Sequence, residues 1–343
     1  MPEKILVRAT NWVGDLVMST PAMAAIRDEF PDAHISVLVK PPLDELLAGN
    51  PAVDEIIRYD RKMYNGATGI VKLAGELRKK RFDRAILLQN AFEAAVIAFM
   101  AKIPVRMGYA TDGRGILLTK SVKVAKETKE KHQVYYYLDL LKALGMKAHA
   151  HAPKLYPDRE HARHASEFLK ENGVSGSSPV VGINPGAQYG VAKKWYPERY
   201  ADVADRLVRE YGARVVIFGG PGDVAAAGTV EAAMREPAIN LAGRTTIREL
   251  MAYAKKCGLF ITNDTGAMHV SAALGVPTLA VFGSTDHIAT GPFGKGNVIV
   301  RNPVNCSPCL KRTCPLKHYR CMETVSADQV YEAAKGMLEG GRE

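Results

Sequence analysis

The sequence predicts an α/β protein of two successive halves, each Rossmann-like, facing one another across a cleft. Three observations carry this expectation. Short apolar runs alternate with amphipathic stretches along the chain. The alternation breaks at a loop-rich segment and then restarts. Finally, Leu259-Phe-Ile-Thr-Asn-Asp-Thr-Gly-Ala-Met-His269, Val-Ser-Ala-Ala-Leu-Gly275 and Val-Pro-Thr-Leu-Ala-Val-Phe-Gly283 follow one another without a gap. They read as strand, turn, helix, strand, the βαβ unit of a parallel sheet. At 343 residues the length suits two domains.

In the first half, strands are expected at residues 5–9, 35–39, 55–59, 84–88 and 105–108, and helices at 15–30, 68–80, 91–101 and 133–144. Pro31 lies beyond the first helix and Gly145 stops the last. A linker follows. Residues 149–157 are rich in His, Ala and Pro, and residues 172–179 (Asn-Gly-Val-Ser-Gly-Ser-Ser-Pro) carry a strong loop signal, with a helix at 160–171 between them. The second half expects strands at 180–184, 214–218 and 298–300 around the βαβ unit. Its helices are expected at 198–211, 223–235, 246–256 and about 327–338. The domain boundaries follow: residues 1–155, a linker region 156–178, a second domain 179–325 with a Cys-rich loop at 306–321, and a C-terminal helix over 326–343.

Composition narrows the function. The formal net charge is +10, with 46 Lys and Arg against 36 Asp and Glu. That surplus favours an anionic partner such as a nucleotide, a phosphorylated glycolipid, a membrane surface or nucleic acid, beside the simpler reading of solubility. Met1-Pro-Glu-Lys4 runs directly into Ile5-Leu-Val7 and Arg8, which leaves no apolar region for a signal peptide. The apolar stretch 94–101 is far too short to span a bilayer and reads as a buried helix. The expected location is therefore cytoplasmic, where the five cysteines form no stable disulfides.

Four constellations hold the candidate chemistry. The turn after residue 262 lies where a strand's carboxyl end meets a helix's amino end, which is where open α/β sheets bind ligands. There the N–H groups of Thr265, Gly266 and Ala267 would face a phosphate, flanked by Asp264 and His269. Asp264-Thr265-Gly266 also spells an aspartic-protease motif, but it occurs once, and those enzymes need two carboxylates sharing a proton. Asn11-Trp-Val-Gly-Asp15 follows the first strand. Asp15 either caps a helix or is poised at the cleft as a general base.

Next, Asn184-Pro-Gly186 leads to Lys193-Lys194-Trp195-Tyr-Pro197. Its lysines are either solvated or neutralise a diphosphate. In Phe218-Gly-Gly-Pro-Gly-Asp223, Gly220, Gly222 and Ala225 fit a loose dinucleotide pattern. No acidic residue stands at 238–243, where a nicotinamide dinucleotide would want one, and Asp223 suits ribose hydroxyls better than a pyrophosphate. Lastly, Cys306, Cys309, Cys314 and Cys321 fall at spacings of two, four and six. They read as a structural zinc site, an iron–sulfur site or metal-free thiols, with His318 as a substitute ligand. Cys257 ends a predicted helix and is expected to be buried. Arg58, Arg61, Lys62, Lys79, Lys80 and Arg81 either meet an anionic acceptor or form a solvated face.

Taken together, residues 11–21, 184–197, 218–223, 263–269 and 282–286 resemble the ADP-heptose:lipopolysaccharide heptosyltransferases, glycosyltransferase family 9. The run from Asn184 to Trp195 is more similar to the heptosyltransferase II branch. The resemblance implies a GT-B fold, with the acceptor, lipid A–Kdo–heptose, on the first domain and ADP-L-glycero-D-manno-heptose on the second. It implies inverting transfer and peripheral contact with the inner membrane surface, with no catalytic cofactor and no nucleic-acid partner. On this resemblance Asp15 is the base and Lys193 meets the donor diphosphate. Gly186, Lys194, Gly220, Asp223, Asp264, Thr265, Gly266, Ala267 and His269 surround the donor, and Gly14 and Arg61 serve the acceptor. Zinc remains the structural expectation for the Cys loop. An epimerase on the same fold, or a basic metal-binding interaction protein, are the alternatives. The first would turn over the donor without an acceptor. The second would bind oligonucleotides in a salt-sensitive way.

Overall fold

The computed structural model describes residues 2–149, 151–174, 176 and 178–340. The expected linker positions 150, 175 and 177, and residues 341–343 of the expected C-terminal helix, lie outside the described residues. The chain divides into two compact units, Met1–Tyr156 and Pro157–Glu343.

In the first unit β1 (Lys4–Arg8) leads into α1 (Val13–Glu29), β2 (His34–Val39), β3 (Glu55–Arg58) and α2 (Gly66–Lys80). Then come β4 (Arg84–Leu87), α3 (Phe92–Met100), β5 (Val105–Tyr109), β6 (Lys120–Val122), α4 (Lys126–Lys129) and α5 (Gln133–Ala143). The strands form one six-stranded parallel sheet in the order β3-β2-β1-β4-β5-β6. In the centre, Leu6 lies opposite Ser36 on one side and Ala85 on the other. The inner strands read as unbroken apolar runs because both faces of a parallel sheet are covered.

The chain holds α1 together through a proline. Pro21 sits inside the helix and lacks the N–H that would bond the Val17 carbonyl. The Thr20 hydroxyl donates to that carbonyl instead, at 2.8 Å, and Ser19 does the same for Leu16. The helix thus runs unbroken from Val13, which places Gly14 and Asp15 in its first turn.

The second unit opens with α6 (Arg159–Glu171), β7 (Val180–Asn184), α7 (Pro197–Tyr211), β8 (Arg214–Ile217), α8 (Val224–Ala233) and β9 (Ala238–Asn240). It continues through α9 (Ile247–Ala254), β10 (Leu259–Asn263), α10 (Gly266–Ala273), β11 (Thr278–Val281) and α11 (His287–Thr290). β12 (Val298–Val300), α12 (Arg320–Glu323) and α13 (Ala327–Gly340) close it. Its parallel sheet has the order β12-β11-β10-β7-β8-β9. α6 packs within this unit, with Phe168 edge-on to Tyr253 at 5.6 Å. Every residue of β7, β10 and β11 is buried.

Both sheets therefore repeat one doubly wound order, 3-2-1-4-5-6 in their own strand numbering. Each reverses direction beside its first strand, and ligands of such sheets bind outside the carboxyl ends at that point. In the second unit this is the junction of β7 and β10. β6 and β9 are strands not anticipated above. Both are three-residue edge strands of mixed polarity, Lys-Ser-Val and Ala-Ile-Asn, so no apolar run marks them as it marks the equally short β12, Val-Ile-Val.

Candidate active site

The candidate donor residues gather at the carboxyl ends of β7 and β10. β7 ends in Asn184, whose amide donates to Thr265 Oγ1 at 3.0 Å and toward Thr262 Oγ1 at 3.4 Å. β10 ends in Asn263, fully buried and bonded on every side. Its Oδ1 accepts from the Trp195 N–H at 3.0 Å and the Tyr200 hydroxyl at 2.9 Å. Its Nδ2 donates to the carbonyls of Pro185 and Gly186. One side chain thereby ties together the loop after β7, the lysine segment and the start of α7. Trp195 adds an indole N–H bond to the Val325 carbonyl at 2.9 Å.

That anchoring fixes Lys193. Its ammonium forms an ion pair with Asp264 Oδ2 at 2.6 Å, with both side chains largely buried, and stands 4.9 Å from the Tyr189 ring centroid. Lys194, next along, is extended and forms no ion pair among the described residues. The structure thus separates two adjacent lysines that the sequence leaves equivalent. Beside them α10 begins at Gly266 with Thr265 as its N-cap and no side-chain cap bond. Its first-turn N–H groups, on Gly266 and Ala267, are what an anion would meet. His269 is buried one turn further in. After β11, the hydroxyls of Ser284 and Thr285 are buried without hydrogen-bond partners, a further pair of polar groups suited to a ligand.

Asp223 also belongs to this group. Its carboxylate accepts the Gly220 N–H at 3.1 Å and presses on Gly186, where an added Cβ would lie 2.2 Å from the carboxyl carbon. Only glycine fits at 186. The dinucleotide reading weakens further at β9. Asn240 stands where such a site needs an acidic residue, and its side chain is bound to Glu231 and the Ala242 N–H.

The Cys loop lies directly behind the lysine segment. Cys306, Cys309, Cys314, Cys321 and His318 line one cavity together with Ala192. The five cysteines are unpaired, with Cys257 buried as expected. Cys306 Sγ is 4.0 Å from His318 Nε2. Among the described residues, no three His, Cys, Asp or Glu side chains stand in a set that holds a metal ion. The loop is joined to the donor side by the Ala192 N–H on the Arg312 carbonyl (3.0 Å), Tyr189 on the Leu310 carbonyl (3.0 Å) and the Leu310 N–H on the Ser284 carbonyl (2.8 Å). Gly190 passes so close that a Cβ would lie 2.2 Å from the Arg312 carbonyl oxygen.

In the first unit, Asp15 lies near Tyr137, whose phenol is held well above its ordinary range by burial and then by the Asp15 charge. Arg61 is bound to Tyr59 at 2.7 Å and paired with Glu93. Arg58 pairs with Asp44 and Lys80 with Glu55, so part of the basic run is internally neutralised. α3 buries Ala94, Ala95, Ile97 and Ala98, and no helix among the described residues is long and apolar enough to cross a membrane.

Asn263, Tyr189, Ser284 and Thr285 lie inside the stretches that carry the resemblance, but sequence reading gave none of them a role of its own. Asn263 had a signal, a polar residue closing an apolar strand immediately before Asp264.

Two doubly wound sheets, with a lysine held beside an uncapped helix start in the second, suit a nucleotide-sugar transferase of the GT-B class. Residues 70–320 match glycosyltransferase family 9 (heptosyltransferase). Lipooligosaccharide heptosyltransferase 2 of Campylobacter jejuni is 31% identical, with 98% of each chain covered. The solved ADP-heptose heptosyltransferase II of Escherichia coli superposes with a TM-score of 0.85 at 28% identity, covering 99% of this chain and 100% of that one. A family 9 glycosyltransferase from Veillonella parvula gives 0.90 at 27% identity over 98% of both. The chain belongs to glycosyltransferase family 9.

Proposed function

We propose that the protein transfers L-glycero-D-manno-heptose from ADP-heptose to the inner core of lipopolysaccharide, onto the first heptose of a lipid A–Kdo–heptose acceptor. The observation that carries this reading is Lys193, held by Asp264 beside the open start of α10. The full-length likeness to heptosyltransferase 2 proteins supports the choice of sugar and acceptor.

The chemistry is a single displacement with inversion. The acceptor oxygen bonds to the anomeric carbon as the bond to the diphosphate breaks, and the electron pair leaves with ADP. Lys193 and the N–H groups of Gly266 and Ala267 stabilise the charge growing on the diphosphate. Asp15 takes the acceptor hydroxyl proton. Asp264 positions Lys193, Gly186, Lys194 and His269 flank the donor, and Asp223 with Gly220 meets the adenosine ribose. Gly14 and Arg61 face the acceptor. No cofactor enters these steps. We propose a structural zinc for the Cys cavity: Cys306, Cys309, Cys314 and Cys321 line it together but do not stand as a ligand set among the described residues, so they would draw in on the ion, which would brace the lysine segment from behind. Contact with the inner membrane surface would use the exposed side chains of Phe99, Met100 and Ile116, with Arg106 stacked on Phe99.

Calorimetry with ADP, UDP, GDP and NAD tests the donor assignment. ADP binds selectively, and Lys193→Ala weakens it by about 10- to 100-fold, the loss of one charge-assisted contact, while Lys194→Ala does little. Preference for UDP, or equal loss in the two variants, would contradict the assignment.

A further inference from the structure

The carboxyl edge of the first sheet gathers three cations round one ring. The Tyr59 ring centroid is 5.4 Å from the Arg8 guanidinium carbon, 5.6 Å from Lys40 Nζ and 5.7 Å from the Arg61 guanidinium carbon. Topology brings them there. Arg8 ends β1, Lys40 follows β2, Tyr59 and Arg61 follow β3, and Glu93 stands in the first turn of α3, after β4. In a doubly wound sheet this edge, beside the point where strand order reverses, is the ligand side.

One carboxylate answers the three cations. Glu93 accepts from Tyr59 at 2.9 Å and pairs with Arg61 at 2.5 Å. Among the described residues neither Arg8 nor Lys40 forms an ion pair. Arg8 is 1% exposed. Its terminal nitrogens donate to the Ala9 and Leu38 carbonyls and to Asn11, but Nε is buried without a partner. Thr10 Oγ1, two residues further along, is buried and unpartnered too. Gathering like charges in a poorly solvated place is costly unless an anion completes the set. A rim of Arg61 and Lys40 over a floor of Arg8 and Tyr59 is such a set.

We propose that Arg8, Lys40 and Arg61, arranged round Tyr59, form an oxyanion subsite that holds a carboxylate or phosphate of the acceptor, with Glu93 as the resident counter-ion against which that group competes. This rests on the acceptor reading above and adds its specificity. The acceptor is held by its charge at one end of the sheet edge while Asp15, in the first turn after β1, addresses the reacting hydroxyl.

Two experiments test it. In the first, the intact protein is treated with an amine-acetylating reagent, and modification of Lys40 is read by peptide mass spectrometry. Inorganic phosphate slows Lys40 acetylation several-fold relative to chloride at equal ionic strength. Arg61→Gln reduces the protection and Glu93→Gln increases it. Absence of protection in the wild type overturns the subsite. In the second, initial rates of heptose transfer are measured. Lys40→Met and Arg61→Gln raise the acceptor KM about tenfold, far more than they lower kcat or disturb the donor KM. An unchanged acceptor KM overturns the proposal. Acceptors stripped of phosphate, or with the carboxyl esterified, identify which group is held: the true ligand is the one whose removal abolishes the difference between wild type and Lys40→Met. If phosphate shields Lys40 but the wild type transfers nothing, the transferase reading fails and the subsite stands. Transfer with an unshielded Lys40 reverses that conclusion.

Discussion

Lys193 and Lys194 are adjacent in sequence and unlike in circumstance. Trp195 is locked to Asn263 and Val325, so the residue two before it turns inward onto Asp264. Removing Asp264 would leave a largely buried ammonium unpaired, a loss of about 3–5 kcal/mol where burial is complete and less here, where Lys193 keeps some contact with solvent. Asp264 is therefore a positioning residue in this account. Under the proposed mechanism Asp15 takes the acceptor proton. Asp15→Asn keeps the shape of the first turn of α1 and removes the base, so kcat falls by about 10²- to 10⁴-fold while ADP-heptose affinity is retained. Initial rates and calorimetry on the same preparation check this, and near-wild-type turnover would move the base elsewhere.

At the scale of elements, the Cys loop and the lysine segment act as one piece. The Ala192, Tyr189 and Leu310 hydrogen bonds and the close passage at Gly190 leave the lysine segment little freedom to shift alone. A metal closing the loop would stiffen the segment that carries Lys193. Protein prepared anaerobically without chelators carries about one zinc per chain, and stripping it weakens ADP-heptose binding before it unfolds the unit. Elemental analysis showing no metal would leave the thiols as plain packing groups. The Cys spacing was legible in the sequence, whereas the coupling to the lysine segment was not, because Tyr189 and the Ala192 N–H bond the backbone carbonyls of Leu310 and Arg312, which any side chains could supply. β6 and β9 were hidden for another reason: they are three-residue edges with polar residues among the three, and their pairing is decided by the neighbouring strand.

For the whole molecule, two copies of one strand order explain why so much could be read early. Buried parallel strands must be apolar on both faces and their crossovers must be helical, so β1, β2, β7, β10 and β11 announce themselves. The donor turn was legible for the same reason, since Asp264-Thr265-Gly266 interrupts an apolar run. The charge network of the first unit was not, because Arg8, Lys40, Tyr59 and Glu93 are spread over 86 positions and meet only in the folded sheet.

Three carboxyls of the first unit set an acid limit. Burial opposes ionisation at Asp54, Glu55 and Glu93. It is outweighed at Asp54 by the Ile35 N–H and Arg27, at Glu55 by Lys80 and Ser36, and at Glu93 by Tyr59 and Arg61. All three carboxyls are held below their ordinary values of 3.8 and 4.5. Their contribution is complete above those values and disappears as pH falls through the lowered ones. The urea midpoint of the first unit therefore drops between about pH 5 and pH 3, and Asp54→Asn flattens that dependence. A midpoint independent of pH in this range would contradict the stabilising role of these three carboxyls.

The central claim is sugar transfer, and one reaction addresses it. The purified protein is given ADP-L-glycero-D-manno-heptose and a lipid A–Kdo–heptose acceptor, and the products are read by mass spectrometry. The account predicts an acceptor heavier by a single heptose with an equal amount of ADP released. ADP-heptose that is epimerised or hydrolysed while the acceptor stays unchanged would contradict it.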